Sequence, residues 1–174
     1  MGEVAHQLLP ATENLRNDAM KRRVKPRKRS TPAKKVKRSA ISHAPVAGMP
    51  RIGLESSVQR VVPHEWTIAA FDPRLPPVLS TPAMIGMMEI AALQAVQPEL
   101  PSGAITVGTR IEVDHLKAVT DGATVRAAAR LVGYQGRFLV FEVEARSGDL
   151  VLGRGKVFRA IVDNRKFAQP ADEK

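Results

Sequence analysis

The chain reads as an α+β domain, an antiparallel sheet wrapped around one long central helix. Three observations predict it. A single long apolar segment, from Thr81 to about Gln97, has helical spacing, with Ile85, Met88, Ala92 and Val96 recurring on one face. A short strand-like run at 56–62 precedes it, and four alternating runs follow it. The links between the later runs carry glycine and are of hairpin length.

Each element has local reasons. The covering stretch 63–80 is rich in proline and holds Trp66 and Phe71, so it reads as an irregular segment over the core. Ser80 or Thr81 caps the helix, with Pro82 at its first position, and Pro98 stops it. Gly86 costs that helix about 1 kcal/mol against alanine, which suggests a close backbone approach there. The later strands are expected at 104–116, 124–132, 137–146 and 150–162. Asp121 and Gly122 mark a turn, and 133–136 and 147–149 are the hairpin links. In the strand at 137–146, Leu139, Phe141, Val143 and Ala145 face one way. Val140, Glu142, Glu144 and Arg146 face the other.

Charge divides the chain. Residues 1–38 hold twelve Lys/Arg against three Asp/Glu, and the remainder holds fifteen against fourteen. Of the net charge of +10, +9 therefore belongs to the leader, whose like-charge blocks are broken by Pro26 and Pro32. We place a disordered basic tail at 1–50, the folded domain at 51–165 and a flexible C-terminal tail at 166–174. The absence of cysteine excludes disulfides, thiolate catalysis and thiolate-bound zinc. The four histidines have no metal-ligand spacing, so no metal is expected. No apolar stretch reaches the roughly 20 residues of a membrane span, and no apolar region follows the basic run as a secretory signal requires. A cytoplasmic location is the expectation. The leader has no aromatic residue to stack on bases, so its attraction to nucleic acid is expected to be sequence-independent only.

Two residues carry chemistry. Glu89 falls inside the apolar stripe of the helix, where an unpaired carboxylate is costly unless it has a partner or a task. His115 ends a strand face shared with Val107, Thr109, Ile111 and Val113, with Gly108, Arg110, Glu112 and Asp114 on the other face. If the helix packs on the sheet, carboxylate and imidazole meet as a general acid–base pair.

These residues carry a resemblance. Thr81, Glu89, the segment Thr106, Val107, Gly108, Thr109 and the segment Asp114, His115, Leu116 resemble the active-site pattern of the fluoroacetyl-CoA thioesterase family, over about residues 54–163. The resemblance implies the hotdog fold. It also implies thioester hydrolysis by Thr81, Glu89 and His115, with backbone at Gly108 contributing to the site. Pro82 directly after Thr81 and the covering segment 63–80 depart from that pattern. The resemblance therefore implies thioester chemistry rather than one acyl group.

The expected function is hydrolysis of a small or medium acyl-CoA by a homodimer, paired through the strand at 104–116. Coenzyme A is part of the substrate, and no separate cofactor is expected. Glu89 serves as base or nucleophile, and His115 bonds Glu89 or protonates the leaving thiolate. Thr81 positions water or the carbonyl, and the N–H of Gly108 or of the helix start is the oxyanion donor. Arg110, Lys117, Arg154 and Lys156 are the available cations for the coenzyme A phosphates. Two alternatives stay open: a hotdog hydratase or dehydratase, and a non-catalytic scaffold with a nucleic-acid-binding tail.

Overall fold

The computed structural model describes residues 39–44 and 46–167. Most of the expected basic tail, and the C-terminal tail from 168, lie outside the described residues. The elements are β1 (Glu55–Val61), α1 (Thr81–Val96), β2 (Ala104–His115), β3 (Thr124–Gln135), β4 (Phe138–Ser147), β5 (Leu150–Asp163) and α2 (Asn164–Phe167). The strands form one five-stranded antiparallel sheet in the order β1-β3-β4-β5-β2.

The helix lies in the hollow of this sheet. Met84, Met87, Met88, Ala91, Ala92, Ala95 and Val96 form its buried face. They meet the inward residues of β3 and β4, among them Leu131, Leu139, Phe141, Val143 and Ala145. Methionines and alanines suit this position, because flexible thioethers fill gaps while small residues admit the backbone. Ser80 is the cap: its Oγ accepts the Ala83 N–H at 3.4 Å. Thr81 is thus the first helical residue and Pro82 the second, and the Thr81 hydroxyl has no cap to serve. Gly86 does not mark a close approach, since a Cβ built there meets nothing within 4 Å.

The expected face assignment of β2 is half inverted. The ladder with β5 runs Gly108 opposite Arg159 and then Arg110 opposite Phe158, so Thr109 is an extra, bulged residue. Its hydroxyl donates to the Phe158 carbonyl at 3.0 Å. Past the bulge, Ile111, Val113 and His115 stay on the helix side. Before it, Thr106 and Gly108 join them, and Val107 turns outward. Simple alternation through Thr109 had put Gly108 on the wrong side. A second bulge between Leu131 and Gly133 carries β3 on to Gln135, so the hairpin link is shorter than 133–136 and turns at Gly136 (φ 61°).

The outer face of the sheet is wet and patterned. Glu55, Arg130, Glu142, Lys156 and Glu112 stand opposite one another across all five strands, with alternating sign. A second row sets Glu144, Arg154 and Asp114 side by side. Val140 is an exception to the expected wet face of β4, being fully buried. Next to it Phe158 is stacked under the Arg110 guanidinium, 3.5 Å from the ring centre.

Part of the segment expected as tail sits on the domain. Ser42 and Tyr134 exchange backbone hydrogen bonds of 2.7 and 2.8 Å. Gln135 Nε2 donates to the Ser39 carbonyl at 2.6 Å. The buried Tyr134 hydroxyl donates to the Pro50 carbonyl at 2.5 Å.

Candidate active site

Two clusters hold the predicted residues. At the start of α1, Thr81 Oγ1 lies 2.9 Å from His115 Nδ1. The freed first-turn hydroxyl and the last residue of β2 meet here because α1 runs antiparallel to β2. Among the described residues His115 Nε2 is buried and has no hydrogen-bond partner. The tautomer sets its use. If Nδ1 accepts the Thr81 O–H, Nε2 carries the ring proton and is a donor aimed at whatever enters.

The second cluster is built on Glu89. Glu89 is not in the middle of the buried face but at its flank, with a side chain 31% exposed. Its partner is not His115 but Arg159, whose Nη1 donates to Glu89 Oε1 at 3.0 Å. Arg159 is buried, and its other nitrogens reach Thr106: Nε donates to Oγ1 at 3.0 Å and Nη2 to the carbonyl at 2.7 Å. Burial pulls the Arg159 pKa below the ordinary arginine value, and the Glu89 carboxylate opposes that pull. The planar fork is thereby satisfied on three sides and holds Glu89 in one place. Gly108 lies against this carboxylate: a Cβ there would collide with Glu89 Oε1. Only glycine lets the β2 backbone come this close.

A cavity of 370 Å³ opens here, lined by Glu89, Gly108, Thr109, Arg110 and Ile111. It includes neither Thr81 nor His115. Thr81 and Glu89 stand eight residues apart on one helix, roughly 12 Å along its axis at 1.5 Å per residue. Within one chain the structure therefore brings Thr81 to His115 and Glu89 to Gly108, but does not join the pairs.

Arg159 was missed by sequence reasoning. Its signal was present, since it is a lone charge within Val157, Phe158, Ala160 and Ile161. Of the cations considered for coenzyme A, Arg154 and Lys156 belong to the outer charge rows, on the face away from Glu89. Arg110 also lies on that face, stacked on Phe158. Lys117 is exposed just beyond His115.

A five-stranded antiparallel sheet wrapped around one central helix, which carries both Thr81 and Glu89, defines the class: a hotdog-fold protein. Comparison with known proteins narrows it. Residues 62–165 match the family model for fluoroacetyl-CoA-specific thioesterase. The fluoroacetyl-CoA thioesterase of Streptantibioticus cattleyicolor is 34% identical over 123 residues, covering 67% of this chain and 88% of that protein. A solved structure of the fluoroacetyl-CoA thioesterase FlK superposes with a TM-score of 0.62 at 34% identity, over 67% of this chain and 91% of that one. A thioesterase superfamily member from Thermus thermophilus superposes with a TM-score of 0.62 at 28% identity, over 68% of this chain and 88% of that one. The chain belongs to the fluoroacetyl-CoA-specific thioesterase family, a family of thioester hydrolases. No helix among the described residues is long and apolar enough to cross a membrane.

Proposed function

We propose that the chain hydrolyses acyl-coenzyme A thioesters with Thr81, Glu89 and His115, and that two copies complete each site. The observation that carries this is the Thr81–His115 bond, which leaves the buried Nε2 free to act. The homodimer accounts for the split site. Strand β2 is an edge strand, and Ile111 at its middle is 43% exposed. Gly108 stands three residues before Ile111 and His115 four after it. Antiparallel pairing of two β2 strands about a two-fold axis near Ile111 sets the Gly108 level of one subunit beside the His115 level of its partner. Glu89 of one subunit then faces Thr81 and His115 of the partner subunit. The same pairing brings Arg110 opposite the acidic outer residues Glu112 and Asp114 across the axis.

The chemistry follows from these parts. Glu89 takes a proton from water as the water oxygen bonds to the thioester carbon. The carbonyl electrons move onto oxygen, held by the N–H of Gly108 or of the α1 start. Their return expels the sulfur as a thiolate, which the His115 Nε2–H steadies as a hydrogen-bond donor. The proton that Glu89 took from water passes through solvent to that sulfur. In the alternative route Glu89 itself attacks and water opens the mixed anhydride. Single turnover in isotopically labelled water separates the two, because only the anhydride route can leave label in Glu89. Coenzyme A leaves as product and no resident cofactor takes part.

The test is complementation. Glu89→Gln and His115→Ala are each purified, then mixed and allowed to exchange subunits. In a random mixture half the dimers are mixed, each with one intact site, so about a quarter of wild-type thiol release should return. No recovery in a mixture shown to exchange would place each site within one chain. A change in enoyl absorbance without thiol release would indicate a hydratase.

A further inference from the structure

We propose that Gly153 is a positioning residue: by leaving room for Met84, it holds the Thr81 hydroxyl and the His115 imidazole at bonding distance. The proposal rests on the thioesterase reading above. Gly153 stands directly opposite His115 in the β2–β5 ladder. The same level continues through Ala145 on β4 and Ala127 on β3, both fully buried. From β5 to β3 this level therefore holds only small residues, and the first turn of α1 comes down onto it. Met84 fills the space that remains. It is fully buried, and its thioether runs across Gly153: a Cβ built there would lie 2.6 Å from Met84 Cε and 2.8 Å from Sδ.

The backbone does not itself call for glycine here, since Gly153 carries no positive φ. The space around it does. Met84 lies three residues after Thr81, and its N–H donates to the Ser80 carbonyl at 3.1 Å. It therefore belongs to the turn that carries the Thr81 hydroxyl. Its thioether cannot simply swing aside, because a fully buried side chain has close-packed neighbours on every side. A methyl at 153 thus pushes the helix start away from the sheet. On the strand side the same Cβ would lie 2.7 Å from the carbonyl oxygen of Asp114, the residue before His115. Both members of the 2.9 Å contact between Thr81 Oγ1 and His115 Nδ1 are then displaced. That contact matters because it chooses the tautomer. An Nδ1 that accepts from Thr81 leaves the ring proton on Nε2, whose buried N–H meets the leaving sulfur. With Thr81 out of reach the proton is free to sit on Nδ1, and Nε2 becomes an acceptor that repels a thiolate.

The experiment compares wild type with Gly153→Ala, Met84→Ala and the double variant. Each is assayed by thiol release from acetyl-, butyryl- and octanoyl-CoA, and the His115 ring is followed by nitrogen NMR. In wild type the neutral ring should hold one tautomer, with its proton on Nε2. Gly153→Ala should lower kcat by at least about tenfold on all three substrates with little change in KM, and its tautomers should mix. The double variant removes the sulfur and methyl that the new Cβ meets. It should regain severalfold in kcat over Gly153→Ala, although Met84→Ala alone lowers activity, a non-additivity expected of residues in contact. Recovery should be partial, because the Asp114 carbonyl still meets the methyl. An unchanged kcat in Gly153→Ala would overturn the proposal, and so would a lost kcat with the wild-type tautomer intact. A double variant no more active than Gly153→Ala would overturn it as well. If neither variant with Ala at 153 folds, Gly153 is a requirement of the fold and the positioning role falls. If wild type releases no thiol from any of the three substrates, the thioesterase reading fails, and the imidazole spectra decide the positioning alone.

Discussion

At the scale of the residue, Glu89 is held rather than merely placed. Its lone charge is matched by Arg159, and that arginine is in turn matched by Thr106. Glu89→Gln keeps an oxygen for the Arg159 N–H, so the fold should persist while thioesterase activity falls at least ~100-fold. Turnover within a few-fold of wild type would make the carboxylate structural. His115→Ala should lower kcat more than it raises KM, because its proposed proton is used only in the transition state. Arg159→Lys tests positioning. A lysine keeps the charge but cannot reach Glu89, Thr106 Oγ1 and the Thr106 carbonyl from one plane. The expected result is a kcat loss of about tenfold or more with little change in KM; equal kinetics would remove the positioning role. Tyr134 offers a pH test. Burial, then the charge of Glu99, raises its pKa above 10.0. A raised pKa means that the folded state holds the proton more tightly. The resulting stability is complete below the unfolded value of about 10 and is lost as pH climbs through the folded one. Melting temperature should fall in that alkaline range, and Tyr134→Phe should flatten the fall while costing about 1–3 kcal/mol at neutral pH through the orphaned Pro50 carbonyl.

At the scale of the element, β2 decides the site. Its bulge turns Gly108 inward, against Glu89, and Gly108→Ala should cost most of the activity through the displaced carboxylate. A crystal structure of that variant with Glu89 unmoved would contradict this account. The strand itself was plain in the sequence, as were α1 and the three later strands, because each has a clean period of apolar residues. The bulge was not, since threonine is at home in any strand and one extra residue leaves no compositional trace. The Thr81–Ser80 ambiguity was of the same kind. Both residues cap helices well, and only the geometry shows Ser80 doing so. Glu89 and His115 stood out because charge or imidazole interrupted an apolar face. Arg159 interrupts one equally well, but its partner is 70 residues away, a separation that no local pattern reveals.

At the scale of the whole molecule, the boundary between leader and domain comes before Met49. Ser39, Ser42 and His43 bond to β3, with His43 Nδ1 2.7 Å from the Val132 carbonyl. A chain starting at Met49 loses the two Ser42–Tyr134 hydrogen bonds, on the order of 1–3 kcal/mol together. It should melt several degrees lower than full length, whereas a chain starting at Ser39 should not. Both should lose the salt-sensitive adsorption to polyanions that the basic residues 1–38 would confer. Equal melting of the two truncations would mean that the 39–44 contacts add nothing.

The alternating charges on the outer face bear on how the sheet finds its alignment. A slip of two residues between neighbouring strands leaves the inward side chains facing the helix, so burial of that face alone discriminates weakly against it. The rows do register the error. If β4 moves by two against β5, Glu142 or Glu144 exchanges a cationic neighbour for Phe158 or Leu152. Each cross-strand pair is worth only about 0.2–1 kcal/mol, too little to matter much to the finished protein. Summed over five strands, such differences can still separate the correct alignment from its nearest competitors while the sheet assembles. Neutralising Glu142 and Lys156 together should then hardly move the melting temperature, yet lower the yield of active enzyme on refolding.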